Sequence, residues 1–89
     1  MATILFPALF RNITQVAQCE SPGQTVHEVL SNLINEYPLL KQFIFTTDNT
    51  PSPFINFYLN DQDVRFLAQH NTPINDKDIL AIIPAIAGG

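Results

Sequence analysis

One amphipathic helix over residues 25–37 limits the folds open to this chain more than any other feature. Thr25 and Glu28 have capping-box spacing, in which the threonine hydroxyl caps the helix and the glutamate reaches back. Apolar residues then recur every three or four positions and predict a continuous stripe facing a sheet. The stripe consists of Val26, Val29, Leu30, Leu33, Ile34 and Tyr37. Pro38 ends this helix, because the residue before a proline is pushed out of the α region.

Short β-strands are predicted on both sides of the helix. A β-branched and aromatic segment predicts a strand at about 2–6, with an outer hairpin partner at 13–18. Strict alternation of apolar and polar residues predicts a further strand over 54–60. The other predicted elements are a helical turn within 39–45, a loop at 46–53, a short strand at 64–66, a loop at 69–77 and a strand at 79–83.

The element order ββαβββ in 89 residues predicts one α+β domain. With 46% hydrophobic and 13% charged residues, the chain has enough apolar surface to fold. A mixed sheet of four to five strands with one main helix across it is the simplest packing. The β-grasp, or ubiquitin-like, architecture satisfies this order and pairs the first and last strands at the sheet centre. The last strand is apolar on both faces, as expected of a central strand or of one that reserves a face for a partner.

Composition excludes several function classes. The net charge is −4 and the four basic residues are scattered, so nucleic acid is not an expected partner. The apolar run 79–87 is broken by Pro84 and is shorter than the roughly 20 residues that span a bilayer. No signal sequence is recognisable, so a cytoplasmic location is expected. The single cysteine rules out an internal disulfide framework, and metal-ligand spacing is absent.

The last two residues, Gly88 and Gly89, are two of only three glycines. Average glycine usage would produce such a pair in about one chain in 200. A frayed end or an expression scar would be uninformative alternatives. A Gly-Gly end can enter a narrow active site, and no side chain hinders a nucleophile at the terminal carboxyl carbon. We therefore predict a β-grasp domain over 1–84 and a protruding tail over 85–89, which Pro84 directs away from the sheet.

Two motifs carry a resemblance to a known family, the small β-grasp sulfur carriers, which include the molybdopterin synthase small subunit and the thiamine-pathway carrier. They are Asn60-Asp61-Gln62-Asp63-Val64-Arg65 and the ending Pro84-Ala85-Ile86-Ala87-Gly88-Gly89. Both are most similar to the carriers of cysteine biosynthesis, whereas molybdopterin carriers more often have Pro-Pro before the tail. Lys77 stands where the family often has glycine.

The resemblance implies a stoichiometric carrier that does no catalysis and binds no cofactor. An E1-like enzyme would use ATP to adenylate the Gly89 carboxylate, and a sulfur donor would convert it to a thiocarboxylate. Ala85, Ile86, Ala87 and Gly88 would thread into the partners. In cysteine biosynthesis, the thiocarboxylate would attack an aminoacrylate on a pyridoxal-phosphate enzyme, and a metallopeptidase would release cysteine. The alternatives are a molybdopterin synthase small subunit, bound to its large subunit, and a ubiquitin-like modifier of protein lysines.

A docking surface follows from strand alternation. If Leu80 and Ile82 face the helix, then Ile79, Ala81 and Ile83 face away from it. These residues could form a partner-docking patch with Phe54 or Tyr58, unless a loop covers them.

The remaining chemically active side chains fit structural roles better than functional ones. Isolated histidines without a metal or acid partner are usually unspecialised, and paired aspartates are common in turns. We interpret Cys19 as a structural thiol and not as the sulfur that is carried. His27 and His70 are interpreted as unspecialised, and Arg65 as a solvated or locally paired charge. The aspartates interpreted as turn residues are Asp61, Asp63, Asp76 and Asp78.

Overall fold

The computed structural model describes residues 1–45, 52 and 54–84, and it describes Arg65 by its backbone alone. Within these ranges the sheet has five strands in the order β2-β1-β5-β3-β4. Their bounds are β1 Ala2–Leu5, β2 Gln18–Ser21, β3 Ile55–Leu59, β4 Gln62–Asp63 and β5 Ile79–Pro84. β1 and β5 pair in parallel, and the other neighbours pair antiparallel. The predicted α+β, β-grasp arrangement is confirmed, with the first and last strands side by side at its centre.

The main helix, α2, spans Val26–Glu36, between the shorter helices α1 (Arg11–Thr14) and α3 (Lys41–Ile44). Its predicted cap is present, since Thr25 Oγ1 accepts the amide of Glu28 at 3.1 Å. The Glu28 carboxylate reaches back to the amide of Gln24 at 3.1 Å, one residue before the cap. Four 3-10 turns complete the described helical elements: Ala8–Phe10, Pro38–Leu40, Val64–Phe66 and Gln69–Asn71.

The core lies between α2 and one face of the sheet. Four of the predicted helix-stripe residues are buried, while Ile34 and Tyr37 pack against the core at its margin. The strands contribute alternate residues to the same core, as predicted for β3. The buried residues of α2, β1, β3 and β5 are Val26, Val29, Leu30, Leu33, Ala2, Ile4, Ile55, Phe57, Leu59, Leu80 and Ile82. In the described ranges, no helix has the length and apolar character needed to cross a membrane.

The predicted strand at 13–18 is wrong in position. Pro7 precedes a 3-10 turn that buries Phe10 completely, and α1 then continues to Thr14. Gln15 ends this helix in the left-handed region, with φ of 60°. The hairpin partner of β1 therefore begins only at Gln18, although it does occupy the predicted outer position in the sheet.

The chain after β3 differs from the prediction in several places. Asn60 and Asp61 have φ of 50° and 74°, so they form a two-residue turn and β4 starts at once, at Gln62. The predicted strand at 64–66 is wrong, since Val64–Phe66 is a 3-10 turn, and the predicted loop at 69–77 begins with another. Pro84 is the last residue of β5, opposite Ile55, and does not follow the strand as predicted. The predicted tail 85–89 and most of the predicted loop at 46–53 lie outside the described residues.

Candidate functional site

The sheet has one face turned away from α2, which we call the outer sheet face. Strand alternation assigns its residues, because their neighbours in each strand are buried beneath the helix. In the three central strands the outer sheet face consists of Thr3, Leu5, Asn56, Tyr58, Ile79, Ala81 and Ile83.

The predicted orientation of β5 is confirmed. Leu80 and Ile82 are 0% and 2% exposed under the helix. Ile79 and Ile83, on the opposite side, are 44% and 41% exposed. The alternative in which a loop covers both isoleucines is therefore wrong for the described chain. Exposed β-branched side chains on a central strand are an apolar surface that water solvates poorly.

Strand register shows which of the predicted docking residues come together. Ala81 lies opposite Tyr58 on β3 and opposite Leu5 on β1. Ile83 lies opposite Asn56, and Ile79 lies opposite Thr3. Tyr58, Ile79, Ala81 and Ile83 therefore share one surface. Whether that surface binds a partner stays a prediction.

Phe54 lies at the border of this surface. It precedes β3 and is 70% exposed. The next residue, Ile55, pairs with Pro84, which is the last described residue of the chain. Phe54 thus marks the end of the sheet at which the sequence continues into residues 85–89.

Phe66 and Leu67 are exposed apolar residues that were not predicted from the sequence. They are 83% and 39% exposed, in and after the turn Val64–Phe66. The Asn60-Asp61 pair could have predicted this exposure. A tight turn at these residues starts β4 at Gln62, its pairing with β3 ends at Asp63, and Phe66 therefore lies outside the sheet ladder.

Polar side chains near the start of β5 have structural roles. Asn60 Nδ2 donates to Asp78 Oδ1 at 3.0 Å, and the amide of Ile79 donates to Asn60 Oδ1 at 2.9 Å. The other Asp78 oxygen accepts the amide of Asn75 at 2.8 Å, which closes the turn before the strand. Lys77, within this turn, has no positive φ, so the glycine common in the family is not required here.

The other acidic residues form no metal site in the described ranges. Asp76 Oδ1 lies 3.3 Å from the amino group of Met1, and Asp63 is buried. Among the described side chains, no three His, Cys, Asp or Glu are placed to hold a metal ion together.

Cys19 lies on the edge strand β2 and is partly buried against the core. Burial, with smaller contributions from the negative charges of Glu36 and Glu20, raises its thiol pKa to about 11. The thiolate, which is the nucleophilic form, is therefore scarce at neutral pH. This is consistent with a structural thiol.

Known proteins are similar in sequence to this chain over almost its whole length. The model of the ThiS family matches residues 4–89. The chain belongs to the ThiS family. This ThiS-family chain is 33% identical to the sulfur carrier protein CysO of Mycobacterium tuberculosis over a 90-residue alignment. That alignment covers 98% of this chain and 97% of the relative.

Solved structures agree with this assignment. The Amycolatopsis orientalis BexX/CysO complex contains a chain that matches with a TM-score of 0.90 and 32% identity, covering 100% of both chains. The small archaeal modifier protein 1 of Methanosarcina acetivorans matches with a TM-score of 0.90 and 26% identity. This second match covers 99% of the ThiS-family chain and 95% of the archaeal one.

Proposed function

We propose that this chain is a sulfur carrier of cysteine biosynthesis and acts as a stoichiometric co-substrate of partner enzymes, not as an enzyme itself. The observation that carries the proposal is its end-to-end similarity to sulfur carrier protein CysO. The terminal Gly88-Gly89 pair supports it, because the chemistry requires an unhindered carboxylate.

The proposed reaction takes place at Gly89. Its carboxylate oxygen attacks the α-phosphate of ATP on an E1-like enzyme and releases pyrophosphate. A sulfur nucleophile then attacks the acyl carbon of the adenylate, and AMP leaves with the former carboxylate oxygen. The product is a thiocarboxylate. No Cβ stands beside the carbon that is attacked, since the residue is glycine.

The proposed tail follows directly after a residue that is paired in the sheet, Pro84. β5 pairs with β1 as far as Ala81 and with β3 as far as Pro84. The remaining residues, 85–89, can extend at most about 17 Å, at roughly 3.4 Å per residue. An active site that processes Gly89 must therefore come close to this end of the sheet, where Phe54 and Ile83 are exposed. We propose that these side chains, with Ile79, Ala81 and Tyr58, contact the activating enzyme.

The thiocarboxylate would next attack an aminoacrylate held by a pyridoxal-phosphate enzyme. The resulting thioester would rearrange by an S-to-N acyl shift into an amide between Gly89 and the new cysteine. A metallopeptidase would then hydrolyse that amide, which releases cysteine and regenerates the Gly89 carboxylate. ATP, pyridoxal phosphate and the metal belong to these partners in the proposal.

The test uses the full chain with its E1-like enzyme, ATP and sulfide, followed by intact-mass spectrometry. The expected product has one oxygen replaced by sulfur. Deleting Gly89 should abolish that product and leave the melting temperature close to that of the wild type, because a tail makes few core contacts. Wild-type protein that stays unmodified with an active E1-like enzyme would refute sulfur carriage.

A matched pair of variants tests whether the outer sheet face docks on the activating enzyme. Ile83→Asp adds a charge to the outer sheet face, whereas Leu39→Asp adds one to an exposed leucine in the turn after α2. Only Ile83→Asp should raise the KM of the carrier for the activating enzyme. Equal effects of the two substitutions would show that the outer sheet face does not dock.

A ubiquitin-like modifier is the second candidate, favoured by the 26% identity to an archaeal modifier protein. The same activated glycine would then be joined to protein lysines. Reductant-resistant adducts of high mass, without thiocarboxylate, would establish that role. Stable co-purification with a larger molybdopterin synthase subunit would instead indicate the third role considered from the sequence.

A further inference from the structure

A cluster of aromatic rings beside the start of α2 includes two histidines. The His70 ring centroid lies 5.3 Å from that of Phe57, at an interplanar angle of 88°, and 6.1 Å from that of Phe45. His27, in the first turn of α2, packs on Phe45 at 6.3 Å. Phe45 therefore contacts both imidazole rings. This cluster lies on the side of the sheet opposite to the outer sheet face, and the proposed sulfur chemistry does not use it.

The His70 ring packs against aromatic carbon atoms and not against hydrogen-bonding groups on its Nε2 side. Its Nε2 is buried and has no hydrogen-bond partner among the described residues. An imidazolium ion has two N–H donors, so protonation leaves Nε2–H without an acceptor whichever nitrogen carries the proton in the neutral ring. Burial lowers the pKa of His70, and the charge of His27 lowers it further. Geometry and electrostatics both favour the neutral ring.

His70 belongs to a segment that fastens the start of α2. The turn Gln69–Asn71 leads into Thr72, whose carbonyl accepts the amide of Val26 at 3.0 Å. Two residues later, the amide of Ile74 donates to the carbonyl of Gln24 at 3.0 Å. These bonds flank a bridge between Thr25 and Pro73. Segment 69–74 is thereby joined to the N-terminus of α2, and it carries the half-buried side chain of His70.

The elements around the ring carry several charged residues. His27 and Glu28 lie on α2, Lys41 lies on α3, and the backbone of Arg65 lies in the turn Val64–Phe66. The Glu28 carboxylate is engaged at the helix cap, and Lys41 lines a cavity of about 320 Å³ beside His27 and Phe45. Of these groups, His27 is the one whose charge acts on the pKa of His70.

We propose that His70 is a pH-dependent latch: uptake of one solvent proton by its ring releases segment 69–74 from the N-terminus of α2 while the five-stranded sheet stays formed. The neutral ring fits among Phe45 and Phe57. The His70 side chain is half-buried, and Nε2 is its buried polar atom. The Nε2–H of the imidazolium is solvated only when the segment opens. Acidification therefore exposes the start of α2 without unfolding the domain.

The test is site-resolved amide hydrogen exchange on the full chain between pH 7.5 and 5.5, read as protection factors. The amides of Val26 and Ile74 report on the latch, and those of Phe6 and Asn60 report on sheet hydrogen bonds. Below about pH 6.5, the protection of Val26 and Ile74 should fall by up to tenfold per pH unit, since opening is linked to one proton. The sheet amides should keep their protection.

Two variants assign the effect. His70→Phe keeps an aromatic ring in the cluster and cannot titrate, so its latch amides should keep their protection at pH 5.5. His27→Gln removes one repulsive charge and should reduce the wild-type loss without abolishing it. A full loss of protection in His70→Phe would overturn the proposal.

A direct titration keeps the test decisive if His70→Phe fails to fold. The ring carbon signals of the wild type, followed by NMR against pH, report the pKa of His70 in the folded chain. A value below that of His70 in the denatured chain, together with selective opening of the latch amides, supports the latch. A value at or above that of the denatured chain, or equal opening of sheet and latch amides, refutes it.

Discussion

Replacing Gly23 with alanine should destabilise the domain, because the turn before α2 has no room for a Cβ. Gly23 has φ of +147°, a conformation that L side chains rarely adopt. A Cβ at this position would lie 2.7 Å from the backbone nitrogen of Val29, 2.9 Å from its Cγ2 and 3.0 Å from the carbonyl carbon of Glu28. Two of these atoms belong to the helix backbone, so relief requires the turn and α2 to separate.

Two side-chain bonds oppose that separation. Ser21 Oγ donates to the carbonyl of Val29 at 3.0 Å, and Asn32 Nδ2 donates to the carbonyl of Pro22 at 2.8 Å. Backbone strain of about 1–3 kcal/mol and overpacking of about 1–3 kcal/mol are offset by about 0.4–1 kcal/mol of reduced freedom in the unfolded chain. The net loss is about 3 kcal/mol, which corresponds to a fall in Tm of about 12 °C or more in a domain of this size.

Urea and thermal unfolding followed by circular dichroism measure this loss. Gln24→Ala is the matched control, since residue 24 is exposed and contributes to the cap through its backbone groups. The control should unfold within about 0.5 kcal/mol of the wild type. If Gly23→Ala unfolds together with its control, the close approach of the turn to α2 does not constrain the fold.

Three further results are expected. Thr25→Ala should lower the free energy of unfolding by about 1 kcal/mol in urea titrations, because the cap bond to Glu28 is lost, whereas Thr25→Ser should keep most of it. A thiol pKa of about 11 predicts that Cys19 of the native protein is alkylated at pH 7.5 at least about tenfold more slowly than in denaturant, and equal rates would contradict that pKa. Because burial lowers the pKa of His70 in the folded chain, the unfolded chain takes up its proton at higher pH, and stability should fall as pH drops through about 6.5. Urea titrations at pH 7.5 and 5.5 should show a smaller fall in His70→Phe, and the excess in the wild type cannot exceed about 1.4 kcal/mol per pH unit.

The elements that were predictable from the sequence are those in which burial repeats over several residues. The stripe of α2 follows the helical period, and Ile55, Phe57 and Leu59 follow the strand period. Strands β2 and β4 lie at the sheet edges and have few buried residues. Their positions depend on residues with positive φ, namely Gln15 before β2 and Asn60 and Asp61 before β4. Single turns of that kind leave little trace in a hydrophobic pattern.

Part of the candidate site could likewise be predicted from the sequence, and part could not. Alternation along β5 was enough to predict that Ile79 and Ile83 face away from the helix. The setting of His70 was not predictable, because its neighbours Phe45 and Phe57 come from distant parts of the chain. Its position in a polar stretch of sequence gave no sign of this packing, which buries Nε2.

The placement of β5 between β1 and β3 has a consequence for biosynthesis. During translation, β1, β2 and α2 leave the ribosome long before residues 79–84, so the emerging polypeptide carries a gap at the middle of its sheet. Two unpaired strand edges then border that gap and are open to aggregation. Insertion of β5 closes both edges in one step. A nascent chain whose residues 79–84 have not yet emerged is therefore expected to bind chaperones.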